Sequence, residues 1–140
     1  MRLEHSIEIA VPTDVVWAAN EDVERWPELA PSMEQVERLD DGALVVGSRA
    51  RIKQPRLPAA EWVVTALDRG RSFSWESRSF GMRTVATHEL VATRDGGTTL
   101  TLVVEMFGPP ARLLWPFIRG TARGFMKQEA TGFKRHCEQA

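Results

Sequence analysis

The sequence predicts an α+β fold, with an antiparallel sheet of about six to seven strands wrapped around one long C-terminal helix. Three observations predict it. The middle of the chain alternates apolar and polar residues at period two between turn signals such as Asp68-Arg69-Gly70 and Asp95-Gly96-Gly97. The last thirty residues, Ala111 to Ala140, instead repeat near the helical period. Two short helical stretches stand between the first strand and the rest.

Taken in order, His5 to Val11 alternates as a half-buried strand, with His5, Ile7, Ile9 and Val11 on one side. Pro12-Thr13-Asp14 ends it and starts a short helix, with Thr13 or Asp14 as N-cap. Asn20 to Leu29 reads as a second short helix interrupted at Pro27. Strand texture returns over Met33 to Leu39, turns at Asp40-Asp41-Gly42, and resumes from Val45 to Gln54. There Arg49, Arg51 and Lys53 share a face read as solvated, opposite Ser48, Ala50, Ile52 and Gln54. After the Pro55 to Pro58 loop come strands over Glu61 to Leu67 and Ser72 to Ser79. Phe80-Gly81 is a two-residue turn into Met82 to Thr93, which sets Phe73 opposite His88 and Trp75 opposite Ala86. Thr98 to Phe107 follows, with Leu100, Leu102, Val104 and Met106 on its apolar face.

Gly108-Pro109-Pro110 leads into the final helix, with Pro116 in its first turn or at a kink. Leu114, Ile118, Ala122, Phe125, Met126, Phe133 and Cys137 fall on one stripe, joined by Trp115, while Arg123, Lys127, Lys134 and Arg135 fall away from it. Glu129 and His136 project into the middle of that apolar stripe.

The chain has 140 residues, of which 43% are hydrophobic, enough for a single domain over 1–140 with its own core. A net charge of −1 excludes bulk attraction to nucleic acid. The charge is unevenly spread: residues 1–40 hold three cations and ten acids, residues 111–140 six cations and two acids. This reads either as two solvated faces or as a basic helix that touches a membrane or an acidic partner. The single cysteine, Cys137, excludes an internal disulfide and sits on the apolar stripe as a small core residue. There is no apolar signal core at the N-terminus and no run of roughly 18 apolar residues, so a cytoplasmic protein without integral membrane association is expected.

No phosphate loop, paired Cys/His spacing or nucleophile elbow appears, and no metal or cofactor is expected; His5, His88 and His136 are far apart in sequence. Two polar candidates stand out. His88, on a strand face with Thr84, Ala86 and Leu90, reads as a core histidine or as a ligand hydrogen-bonder and general acid/base. Glu129 reads as a structural group bonded to His136, Gln54 or the backbone, or as an acid/base in a cavity, because an unpaired carboxylate among apolar groups is costly. Five tryptophans and no tyrosine leave Trp26, Trp62 and Trp75 as cavity walls or core packing, with Met106 and Met126 beside them.

In order and spacing, Gly47-Ser-Arg-Ala-Arg-Ile-Lys-Gln-Pro55, Phe73-Ser-Trp-Glu-Ser-Arg-Ser79 and Thr87-His-Glu-Leu90 resemble small bacterial polyketide cyclase/dehydrase-like proteins. These belong to the helix-grip superfamily, which includes START lipid-transfer and pollen-allergen-like domains. The resemblance covers the whole chain and implies a seven-stranded antiparallel sheet gripping the C-terminal helix over a cavity for a hydrophobic ligand. Aromatase/cyclase members place arginine and tyrosine groups in that cavity; this chain has no tyrosine.

The leading expectation is binding of a hydrophobic small molecule (a lipid, isoprenoid or aromatic polyketide) by Trp26, Gln54, Trp62, Trp75, His88, Met106, Phe125 and Glu129. The mouth is expected near Trp26 and Pro27. A cyclase/dehydratase- or isomerase-type enzyme using His88 or Glu129 is the alternative. An interaction module docking through the acidic Glu21 to Glu28 segment is the third.

Overall fold

The computed structural model describes residues 1–139; Ala140, which the expected final helix includes, lies outside the described residues. Seven strands form one antiparallel sheet: β1 (Arg2–Ile9), β2 (Gln35–Arg38), β3 (Arg49–Lys53), β4 (Ala60–Asp68), β5 (Ser72–Ser79), β6 (Met82–Ala92) and β7 (Thr98–Phe107). Their order is β1-β7-β6-β5-β4-β3-β2. The first strand therefore lies at one edge and the second at the other. The chain crosses between them through α1 (Thr13–Glu21), a 3₁₀ turn (Val23–Arg25) and α2 (Trp26–Leu29). The last helix, α3 (Pro109–Gln139), lies against the sheet's inner face. A bulge between Val64 and Ala66 shifts the β4–β5 register and bends the sheet.

The period-two reading assigned the faces correctly. Along β5, Phe73, Trp75 and Ser77 are buried, and along β7, Leu100, Leu102 and Met106 are buried. Phe73 pairs with His88 and Trp75 with Ala86, as the two-residue turn requires. Ala50 and Ile52 point inward, whereas Arg49 and Arg51 are exposed and Lys53 half-buried.

Several local expectations give way to tertiary geometry. Neither Thr13 nor Asp14 caps α1: Pro12, extended at φ −62° and ψ 159°, is the N-cap and no side chain closes it. Pro27 opens a turn of helix instead of interrupting one, because an early helical position needs no amide donor. The second and third strands are shorter than their textures, since Val45 and Val46 are exposed in the loop that Gly47 turns at φ +95°. The final helix begins earlier, at Pro109, and carries Pro116 inside it.

The stripe on α3 holds for its second half. Met126, Ala130, Phe133 and Cys137 are buried in the core, and Lys134 Nζ donates to the Glu8 carbonyl at 2.8 Å. Leu114 is 42% exposed, because the first half of the helix faces open space instead of packed side chains. His136 is exposed, contrary to its predicted place in the apolar stripe. Its side of the helix is covered by α2 at Gly132 and is solvent-facing one turn later. At Gly132 a Cβ would collide with the Leu29 carbonyl, so only glycine lets α2 sit on α3.

Three outcomes follow for chemical denaturation. Gly132→Ala is expected to destabilise by about 1–3 kcal/mol. Gly120→Ala and Gly124→Ala, where a Cβ meets nothing, should each gain roughly 0.5–1 kcal/mol through helix propensity. Phe133→Ala should lose about 3–5 kcal/mol, as truncation of a buried phenylalanine does; a loss below about 1 kcal/mol would reject this helix face.

Candidate functional site: a cavity between sheet and helix

Between the sheet and the first half of α3 lies a cavity of about 460 Å³. It exists because the small side chains Ala86, Ala122 and Thr84 stand where larger ones would fill the gap. Its walls are mainly apolar. Trp62, Trp75, Met106 and Phe125 line the interior, with Trp26 at the inner end and Gln54 on the β3 side. His88 and Glu129 also face it. The structure thus brings together all eight residues singled out from the sequence. His5 sits in β1 and His136 near the end of α3, and neither lines the cavity. Among the described residues no three His, Cys, Asp or Glu side chains cluster as metal ligands would.

The mouth is not where the sequence suggested. Trp26 is only 2% exposed, because its ring packs edge-on against Trp75 and Phe133 and its Nε1–H donates to the Ala19 carbonyl at 3.3 Å. The exposed lining residues are Leu57 and Pro58 in the β3–β4 loop, Ser79 and Phe80 at the β5–β6 turn, and Leu114, Phe117 and Thr121 on α3. The opening therefore lies at the far end, framed by those three segments. Phe80 takes φ +55° and Gly81 φ +75°, the pair of positive angles that a tight hairpin turn needs. For a bulky residue this is a strained conformation, and it holds the Phe80 ring out at the rim.

His88 is the most constrained polar group. Its ring stacks between Trp26, at 5.0 Å between centroids, and Phe73, at 4.8 Å. Its Nδ1 lies 2.7 Å from Asn20 Oδ1. The Asn20 Nδ2 donates to the Val16 carbonyl at 2.7 Å, which orients the amide with its oxygen toward the histidine. Nδ1 therefore carries the proton, and Nε2 is left with a bare lone pair for the cavity. Burial pushes the imidazole pKa down to about 3, so the ring is neutral at physiological pH. Asn20 was missed in the sequence, because it lies sixty-eight residues from His88 and the only local signal is a polar residue on the inner face of an amphipathic helix.

Glu129 contrasts with it. Its carboxyl has no hydrogen-bond partner among the described residues, and neither Gln54 nor His136 supplies the bond expected from the sequence. Burial pushes its pKa up to about 8. Part of its surface is accessible only because it faces the cavity. At neutral pH it is mainly a protonated acid, able both to donate and to accept. Ser77 and Thr84 add hydroxyls to the same lining. Arg49 and Arg51 stay on the outer face, with Arg49 paired to Glu61.

These shifts have opposite consequences for stability. The folded Glu129 retains its proton from pH 4.5 to about 8 while the unfolded group releases it, so the stability it contributes below pH 4.5 is lost as pH rises to about 8. The neutral His88 contributes stability above pH 6.5 that is lost as pH falls to about 3. Glu129→Gln is therefore expected to raise the melting temperature at pH 8 and to flatten the decline between pH 5 and 8. An unchanged thermal-melt pH profile would show that the carboxyl is ionised in the folded chain.

Comparison with known proteins agrees with this architecture. Residues 1–138 match the family model described as polyketide cyclase/dehydrase and lipid transport. No curated protein matches the chain significantly. Among solved structures, the Zhui aromatase/cyclase from Streptomyces sp. R1128 superposes with a TM-score of 0.81 at 16% identity, over 99% of this chain and 94% of that one. A hypothetical protein from Helicobacter pylori gives 0.84 at 10% identity, over 98% and 88%. Norcoclaurine synthase from Thalictrum flavum gives 0.75 at 16%, over 96% and 84%. At these identities the likeness is one of fold.

Proposed function

The chain belongs to the polyketide cyclase/dehydrase and lipid-transport family, and on that premise we propose that it binds a neutral, largely apolar small molecule in the cavity under α3. One observation carries this reading: an interior space of about 460 Å³ walled by tryptophan, phenylalanine and methionine. That is within the range of small-molecule sites, and emptying such a space of water favours an apolar occupant. The polar groups define the occupant further. Nε2 of His88 accepts, so the ligand presents a hydroxyl or N–H there. Protonated Glu129 donates or accepts, which suits a carbonyl or a second hydroxyl. An anionic headgroup would meet no cation inside, because Arg49 and Arg51 lie outside. Lipid alcohols, isoprenoid quinols and hydroxylated polyketides meet these demands.

A second reading is favoured by the two titratable groups that face one cavity. A neutral imidazole with a free lone pair and a protonated carboxyl lining the same cavity are in the protonation states that a base and an acid need before acting on an enolisable substrate. In this reading Nε2 takes a proton from carbon or oxygen and Glu129 delivers one to the departing or carbonyl oxygen, as cyclisation or dehydration requires. The interaction-module reading has less support: Glu21 pairs with Arg69, Asp22 with Arg25, and Glu24 accepts the Arg38 amide, so much of that acidic segment is engaged locally.

A hydrophobic fluorescent probe titrated into the protein is expected to give a saturable signal at micromolar concentration, displaced by long-chain alcohols or polycyclic phenols. Loss of all saturable binding would reject the reading. His88→Phe keeps the aromatic stack but removes Nε2. It should weaken hydroxylated ligands by about 0.5–1.5 kcal/mol relative to their deoxy analogues. Turnover that falls as pH rises through about 8, and is abolished in Glu129→Gln with binding retained, would establish the enzymatic reading.

A further inference from the structure

The rim of the mouth is more apolar and more basic than an isolated protein surface needs. Phe80 is 74% exposed, Phe117 79%, Leu113 77% and Leu57 44%. They come from the β3–β4 loop, the β5–β6 turn and the start of α3, within residues 53–58, 78–83 and 109–128. Exposed apolar groups gathered in this way mark a contact surface. The same three segments carry eight cations: Lys53, Arg56, Arg78, Arg83, Arg112, Arg119, Arg123 and Lys127. None of the chain's nineteen acidic residues lies in them. Arg78 and Arg83 share Glu76, and Lys53 reaches Glu34. Arg56, Arg112, Arg119, Arg123 and Lys127 form no ion pair among the described residues. Of the unpaired cations, Arg56 adjoins Leu57, Arg112 adjoins Leu113 and Arg119 follows Phe117 by two residues, whereas Arg123 and Lys127 lie further along α3 toward its packed half.

We infer that this rim docks on an anionic lipid bilayer. The inference rests on the cavity reading above, since an apolar molecule passing between a bilayer and the cavity avoids water only if the mouth meets the membrane. A bilayer suits the rim better than a protein partner. Three projecting tips can enter one flat, deformable interface together, and arginines around them meet lipid phosphates without a matching contour. None of the described helices is long and apolar enough to cross a membrane, so the contact is peripheral.

The test is sedimentation of the full chain with vesicles, either pure phosphatidylcholine or containing about one-third phosphatidylglycerol, at about 0.1 M salt and again at about 0.5 M. The wild type is expected to sediment with the anionic vesicles at low salt and to be released at high salt, with weaker retention on phosphatidylcholine. Leu113→Asp and Arg119→Glu, neither of which lines the cavity, should each lower partitioning at least about fivefold. Both should bind the fluorescent probe as the wild type does. If the wild type fails to sediment while probe binding saturates, the docking inference is overturned and the cavity reading stands; if probe binding fails as well, both fall. Equal retention on both vesicle types overturns the anionic partner. Retention on an immobilised acidic polypeptide but not on vesicles would assign the rim to an acidic protein instead.

Discussion

The contact on which the structure turns is the sandwich of His88 between Trp26 and Phe73, anchored by Asn20. It joins α1, α2, β5 and β6 at one point, and Phe133 of α3 closes it edge-on at 5.9 Å from the imidazole. A histidine there is tolerable only because its Nδ1–H has a buried acceptor and its faces meet aromatic rings. The same arrangement fixes the tautomer and leaves Nε2 toward the cavity. Packing and chemistry are therefore inseparable at this residue: the bond that makes His88 acceptable to the core also sets what it offers a ligand.

The cavity divides α3 into two halves with different tasks. Beyond Met126 the helix is packed, with Phe133 and Cys137 in the core and Glu138 accepting the Ala10 amide at 2.8 Å. Before Met126 it roofs the cavity, held at its start by the buried Ala111 and by Trp115 and Ala122 against the core. A half that packs and a half that roofs a void explain why one amphipathic stripe holds a buried phenylalanine at Phe133 and a half-exposed leucine at Leu114. They also explain Glu129, which stands at the junction where a carboxyl is removed from bulk water but not bonded to protein.

The polar chemistry inside is neutral and the charge is outside. A neutral imidazole and a protonated carboxyl face the cavity, while the arginines near the mouth are on the surface. An apolar space stabilises neutral groups and rejects ions, so an occupant is selected by shape and hydrogen bonding. The surface instead acts over the longer range of unpaired charge, screened by salt.

By itself the sequence determined what is local and periodic. Alternation at period two assigned the inward faces of β3, β5 and β7, and the Phe80-Gly81 turn set the β5–β6 register, because a two-residue hairpin leaves one pairing. Helical periodicity identified the buried stripe of α3 and placed Glu129 among apolar neighbours. Only the tertiary structure decided what depends on distant segments meeting. Asn20 reaches His88 across sixty-eight residues, and no rule of spacing announces such a bond. Gly132 must be glycine because the Leu29 carbonyl arrives there from a different helix. His136 is exposed although it shares the azimuth of Glu129, since a stripe describes which side chains align and not how far the covering layer extends. The mouth lies beside Phe80 and not Trp26 for the same reason: the sheet's curvature and the path of α3 decide which end of the cavity meets water.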